Sequence, residues 1–164
     1  MIRGITRAAA ALALSLLGFV APAAADVVER NQVGMWLLEA NYKGGDFQNC
    51  TIKAPYGSNA EVIFLLTRDI AWGMGITNTR WNLNTGNSGT VRFRVDQLVT
   101  RSATAKVLSP TLLLVPLPDS RELFEEIRWG NMLYLGIGDE MLNLTLHGTA
   151  VALDALMGCV RRHR

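Results

Sequence analysis

The residues best suited to binding a ligand lie in positions 78–89, the longest polar stretch of the sequence. Trp81 stands there beside Arg80, and Asn82 and Asn84 follow closely. An indole can stack on the apolar face of a sugar ring, while guanidinium and amide groups hydrogen-bond the sugar hydroxyls. The pattern therefore predicts a ligand-binding site here, and a carbohydrate is the ligand class that suits it.

Two further aromatic residues, Tyr56 and Trp72, could extend that surface. Trp72 opens a strand-like segment in which Gly73 and Gly75 alternate with apolar residues. Glycine inside a strand often marks a bulge or the close approach of another chain segment. The alternative is that the tryptophans pack in the core or at its rim and that the neighbouring polar residues form turns. The sequence leaves both interpretations open.

No catalytic residues are assigned. His147 lies at a predicted strand-to-helix corner, and we expect it to bond a backbone group, because a general base needs a nucleophile and an orienting acid nearby. Glu122, Glu125 and Glu126 share one predicted helix. Paired carboxylates serve glycosidases, but three glutamates outside the apolar stripe of a helix indicate a solvated face. We therefore expect no enzyme and no cofactor, with a hydrolase as the least favoured alternative.

Two cysteines occur in the sequence, Cys50 and Cys159. In an exported chain two cysteines most often form one bridge, and we predict a disulfide that ties the last helix to the early strands. The loop that it closes is on the order of 110 residues, for which the chain-entropy model gives about 4.7 kcal/mol. Two distant cysteines and two histidines indicate no ligand cluster, so no metal site is expected.

The first 25 residues resemble a secretory leader. Arg3 and Arg7 supply the positive start, an apolar run follows over 8–20, and Ala23-Ala24-Ala25 suits a leader peptidase. We predict signal-peptide cleavage after Ala25, a single β-rich domain over 26–164, and a periplasmic or secreted location. The apolar run is about 13 residues, short of the roughly 20 that a membrane span needs, so no transmembrane segment is expected after cleavage.

Removing the leader changes the charge of the chain. The 16 Lys and Arg residues become 14, which equals the 14 Asp and Glu residues. A neutral chain lacks the basic surplus of nucleic-acid-binding proteins, so nucleic acid is not expected as a partner. Arg161, Arg162 and Arg164 follow the last turn of the final helix, where they suit the negative end of its dipole. The alternative is a binding patch for anionic lipid or nucleic acid.

The hydrophobic pattern predicts eight or nine short strands. Val91, Phe93 and Val95 alternate with polar residues and indicate one buried face. The residues at 26–33 are interpreted as a polar lead-in, with the first strand starting at Met35. Gly138-Asp139 predicts the turn of a last hairpin.

Two short helices complete the prediction. Asp119 and Glu122 have the spacing of a capping box at the start of the first helix. Thr149 is expected to cap the second, whose apolar face includes Leu153 and Leu156. The predicted fold class is mainly β: a single-domain antiparallel β-sandwich or partly open barrel, with a short helix before the last hairpin and a C-terminal helix.

Several segments together carry a resemblance to known sequences. They are Ala54-Pro55-Tyr56, Trp72-Gly73-Met74-Gly75, Trp81-Asn82-Leu83, the strand at 91–96, Leu117-Pro118-Asp119-Ser120, Leu146-His147-Gly148-Thr149-Ala150 and the helix that ends at Cys159-Val160. Over nearly the whole mature chain this order resembles a group of small uncharacterised secreted proteins of proteobacteria. More loosely it is similar to the invasion-associated locus B family, exported β-rich proteins linked to host-cell invasion. The further cysteine pairs of that family are absent here, and the resemblance supplies no catalytic residues.

The sequence therefore predicts an exported, non-enzymatic binding protein of the bacterial envelope or secretome. Its expected partner is an envelope protein, a host protein or a glycan. A carbohydrate-binding module that uses exposed tryptophans is the alternative.

Overall fold

The computed structural model describes residues 26–164, and this part of the chain contains ten strands and two helices. The predicted signal peptide lies outside the described residues. The elements are β1 (Asp26–Val33), β2 (Trp36–Lys43), β3 (Asp46–Tyr56), β4 (Ala60–Thr67), β5 (Trp72–Asn78), β6 (Ser88–Val95), β7 (Arg101–Ser109), β8 (Leu112–Pro116), α1 (Arg121–Trp129), β9 (Met132–Ile137), β10 (Glu140–Thr145) and α2 (Thr149–His163).

All ten strands belong to one antiparallel sheet in the order β1-β2-β3-β4-β5-β8-β7-β6-β9-β10. The sheet curls but does not close. The curl brings β3 near β10, where the Tyr56 hydroxyl donates a hydrogen bond to the Thr145 carbonyl. Trp36 of β2 similarly donates through its indole to the His147 carbonyl, at 3.1 Å. The predicted mainly-β single domain, with a helix before the last hairpin and a C-terminal helix, is confirmed.

The inner face of the curled sheet carries the core. Val91, Phe93 and Val95 of β6 are buried, as their alternation predicts. They share the core with large buried side chains from most of the other strands: Trp36, Ile52, Phe64, Met74, Val115, Leu133 and Leu135. Alternation along a half-buried strand thus identifies the inward face directly.

Helix α2 packs against β2, β3 and β4 and against α1. Leu153, Leu156 and Val160 are buried in this contact. The predicted disulfide is present between Cys50 of β3 and Cys159 of α2, with the two Cα atoms 6.2 Å apart. Within the described residues, neither helix is long and apolar enough to cross a membrane.

Both predicted helix caps differ from the observed ones. Ser120, and not Asp119, caps α1, because its hydroxyl accepts a hydrogen bond from the Leu123 amide at 3.2 Å. The N-cap of α2 is Gly148, in a left-handed conformation with φ 76° that suits glycine. The buried Thr149 hydroxyl instead donates to the Leu146 carbonyl at 2.6 Å. Thr149 therefore stabilises the loop before α2 and does not cap the helix.

The segment interpreted as a polar lead-in is a strand. β1 pairs with β2 along its length, and most of its side chains are exposed. Because neither face of β1 is buried, its sequence shows no alternation of apolar and polar residues. The buried carboxylate of Glu39 in β2 helps to hold β1 in place. Its Oε1 lies 2.6 Å from Arg30 Nη2 of β1, and its Oε2 lies 2.8 Å from Lys53 Nζ of β3.

Candidate functional site

The predicted binding stretch forms the connection between β5 and β6, which we call the 79–87 loop. Its backbone is held by hydrogen bonds to other elements. The Thr79 amide donates to the Asn59 carbonyl (2.9 Å), the Leu83 amide to the Pro110 carbonyl (2.9 Å), and the Gly86 amide to the Val107 carbonyl (2.9 Å). These bonds attach the loop to the β3–β4 turn and to the β7–β8 hairpin. The backbone of the loop therefore has a defined geometry.

One half of the loop borders a polar recess of about 460 Å³. We use polar recess for the surface formed by Tyr56, Asn59, Arg80, Trp81 and Glu140. The Trp81 indole is half-buried and donates through Nε1 to Glu140 Oε2 at 2.9 Å. The exposed Arg80 guanidinium donates through Nε and Nη2 to the Asn59 side-chain oxygen, both at 3.1 Å, in the amide orientation that satisfies both partners.

These contacts fix the two side chains that the sequence singles out. Trp81 and Arg80 each bind a residue from a different hairpin, so neither depends on the loop alone for its orientation. Tyr56 is held as well, since its hydroxyl donates to a backbone carbonyl, and burial raises the pKa of Tyr56 to about 12. Its phenol is therefore neutral at physiological pH and already has a hydrogen-bond partner.

The other half of the loop borders an apolar cavity of about 420 Å³. Asn82 and Asn84 lie here and do not line the polar recess. The walls of the cavity are apolar side chains of the loop and of β6 to β9: Leu83, Val91, Ala105, Val107, Leu113 and Ile137. The structure therefore divides the predicted site into two neighbouring depressions, with Trp81 and Arg80 in one and the two asparagines in the other.

Trp72, which the sequence offers as an extension of the site, does not line the polar recess. Trp72 is only 9% exposed, and its indole packs edge-on against Phe124 with the ring centroids 5.5 Å apart. Its Nε1 donates to the Pro118 carbonyl at 2.7 Å. Trp72 belongs to the inward-facing residues of β5, so it packs in the core. The neighbouring Gly73 does mark a close approach, because a Cβ atom there would lie 3.2 Å from the Val115 carbonyl oxygen.

The residues considered for catalysis differ in their contacts. For His147 only the backbone takes part, and among the described residues its imidazole has no hydrogen bond to a backbone group, contrary to the expectation. The carbonyl of the exposed His147 accepts the Trp36 indole hydrogen, and its amide donates to the Thr145 hydroxyl at 3.3 Å. Glu126 forms a bidentate ion pair with Arg101 at 2.6 and 2.8 Å. Among the helix carboxylates, Glu126 therefore joins α1 to β7.

Sequence reasoning missed two members of the polar recess, Asn59 and Glu140. Glu140 stands 59 positions from Trp81 along the chain, so only the fold brings the two together. The one usable signal is position: Asn59 lies in the β3–β4 turn and Glu140 directly follows the β9–β10 turn, and connections at the surface often carry functional residues.

Comparison with known structures shows a likeness of fold. No family model matches the sequence, and no curated protein matches it. The crystal structure of invasion associated protein B from Bartonella henselae superposes with a TM-score of 0.62, covering 83% of this chain and 99% of that one. The chain shares that fold. The sequence identity is 18%, so the loose similarity to the invasion-associated locus B family stated from the sequence is confirmed as a likeness of fold.

Proposed function

We propose that this chain is an exported, non-enzymatic binding protein of the bacterial envelope or secretome, and that it holds a protein partner at the polar recess. Three observations support the proposal. The disulfide suits an oxidising compartment outside the cytoplasm. The fold is shared with a bacterial protein named for its association with invasion. The polar recess presents an aromatic and a cationic side chain in fixed positions.

The observation that carries the proposal is the polar border around the Trp81 indole. Its half-buried indole is bordered by the exposed residues Arg80, Ser58 and Glu140. Protein interfaces concentrate their binding energy in tryptophan, tyrosine and arginine side chains that a polar rim shields from water. Because hydrogen bonds already orient Trp81 and Arg80, little conformational freedom is lost when a partner binds.

Partner capture from envelope extract tests this proposal, with the immobilised wild-type chain compared with Trp81→Ala. The matched control is Trp129→Ala, which makes the same change at the 66% exposed tryptophan of α1. We expect a partner that the wild type and Trp129→Ala retain and that Trp81→Ala loses. Equal capture by all three chains, or loss with Trp129→Ala alone, would contradict a partner site at the polar recess.

A glycan is the second candidate ligand. An aromatic ring beside guanidinium and amide groups is a composition that binds sugars, and Trp81, Arg80 and Asn59 supply these groups in one recess. The same three chains are to be screened on a glycan array. Binding that Trp81→Ala removes and Trp129→Ala keeps would support a carbohydrate-binding module. Glycan binding that Trp81→Ala leaves unchanged would eliminate it.

A further inference from the structure

The C-terminal end of α2 meets β1 at a cluster of donor atoms that metals bind. A carboxylate oxygen of Glu29, the Cys159 sulfur and a ring nitrogen of His163 all lie within 4.8 Å of one another. Cys159 and His163 are four residues apart on α2, so both project from the same face of the helix. Glu29 reaches them from the edge strand, and its Oε2 lies 2.7 Å from His163 Nε2.

A fourth donor is joined to this cluster covalently. Cys50 is bonded to Cys159, so its sulfur also lies at the cluster, and both cysteines are fully buried. Reducing the bridge would leave two thiols, one imidazole and one carboxylate together. Two thiolates with a nitrogen and an oxygen donor form a ligand set that tetrahedral Zn²⁺ accepts.

The surroundings of His163 suit a metal ligand. The Tyr42 hydroxyl lies 2.8 Å from Nδ1, which leaves Nε2 directed towards Glu29. Metal-binding histidines commonly use their second ring nitrogen in this way, because the outer hydrogen bond fixes both the tautomer and the ring orientation. The Phe47 ring stacks on the imidazole with the centroids 5.7 Å apart. Tyr42 and Phe47 together hold the imidazole in place beside the two sulfurs.

One cation competes for the carboxylate. Arg162 Nη2 lies 2.6 Å from Glu29 Oε1 in the oxidised chain. The Arg162 side chain is 54% exposed, whereas those of Glu29 and His163 are 21% and 17% exposed. A bound metal can therefore displace the guanidinium into solvent.

We propose that reduction of the Cys50–Cys159 disulfide converts this cluster into a Zn²⁺ site with Cys50, Cys159, His163 and Glu29 as its ligands. A dithiol supplies two electrons and two protons, which cleave the S–S bond to two thiols, and the dithiol is itself oxidised to a disulfide. Zn²⁺ then displaces both thiol protons to solvent. The metal holds α2 against the sheet in the reduced chain, as the bridge does in the oxidised chain.

The test begins with the chain unfolded in guanidinium with a phosphine reductant and refolded under nitrogen, with and without Zn²⁺. Zinc content is measured after gel filtration, and Co²⁺ reports thiolate ligands through its charge-transfer band. Near-ultraviolet circular dichroism follows tertiary packing. We expect about one zinc ion per reduced chain, little in the oxidised chain, and packing that is recovered or strengthened when Zn²⁺ is present.

Four variants separate this site from adventitious binding. Cys50→Ala/Cys159→Ala removes both thiolates and should abolish zinc binding. His163→Ala should weaken it at least about tenfold, and Tyr42→Phe roughly 10- to 100-fold, as for other partners of a ligating histidine. His147→Ala changes the only other histidine of the sequence and should leave zinc affinity unaltered.

Several results would overturn the proposal. One is equal zinc binding by the oxidised chain or by the double alanine variant. Another is an affinity that His163→Ala leaves unchanged. A third is a reduced chain that neither binds Zn²⁺ nor regains packing when Zn²⁺ is added.

Discussion

Removing the disulfide should destabilise the domain without unfolding the sheet. The change is Cys50→Ala/Cys159→Ala, studied without added metal. The bridge joins residues 109 positions apart, and the chain-entropy model then gives about 5 kcal/mol of stabilisation. For a domain of this size each kcal/mol shifts Tm by about 3 °C, so Tm should fall by roughly 10–15 °C.

The structure also predicts what survives this change. Leu153, Leu156 and Val160 keep α2 on the sheet through apolar contacts that do not need the bridge. Far-ultraviolet circular dichroism at 25 °C should therefore remain that of the native sheet. The dependence of unfolding free energy on denaturant should steepen, because the unfolded chain loses its crosslink and exposes more surface.

Thermal and urea unfolding of the oxidised wild type and the double variant measure both effects. The control is the double variant with added reductant, which should melt as it does without reductant. A Tm within about 2 °C of the wild type would refute the argument from loop closure. Loss of the strand signal at 25 °C would refute the expectation that the sheet stays folded without the bridge.

Two further predictions concern single residues. The Asn131 amide, which donates to the Asp96 carboxylate, holds the pKa of that carboxyl below its usual range. Since the folded-state pKa is the lower one, this stabilisation is present above the unfolded pKa and is lost as the pH falls through the folded-state value. Asp96→Asn is the test, because asparagine tolerates the observed φ of 47°. It should lower the free energy of unfolding by about 1–2 kcal/mol at pH 7 and reduce the loss of stability as the pH falls. An unchanged fall of the unfolding free energy at acid pH, measured by urea titration, would contradict this. Gly130→Ala should cost about 2–3 kcal/mol of stability, because its Cβ would lie 2.7 Å from the Glu126 carbonyl oxygen. The control is Gly89→Ala, which has open space around it and should change stability by less than about 0.5 kcal/mol. Equal losses in urea unfolding would show that crowding is not the cause.

Local patterns predicted much of the fold. The alternation of Val91, Phe93 and Val95 identified the inner face of β6, and two cysteines in a chain with a leader-like start predicted the bridge. Apolar spacing predicted both helices, although the capping residues were assigned wrongly. β1 was missed because its pairing depends on backbone hydrogen bonds to β2, which no side-chain pattern of β1 records.

The candidate site was predictable only in part. Composition directed attention to Trp81 and Arg80, and the structure places both in one recess. That this recess binds a ligand stays a prediction. Trp72 was indistinguishable from Trp81 by composition. Only the fold places Trp72 on the buried face of β5 and leaves Trp81 half-buried in the loop beside the recess.

By itself, the sequence determined most of the strands, both helices, which cysteines pair and how much charge the chain carries, because periodicity, composition and residue chemistry are local properties. The tertiary structure alone decided which distant residues meet. It set Glu140 against Trp81, and it set Glu29 beside Cys159 and His163. The physical reason is that these contacts depend on strand register and on how far the sheet curls, which the whole chain determines together.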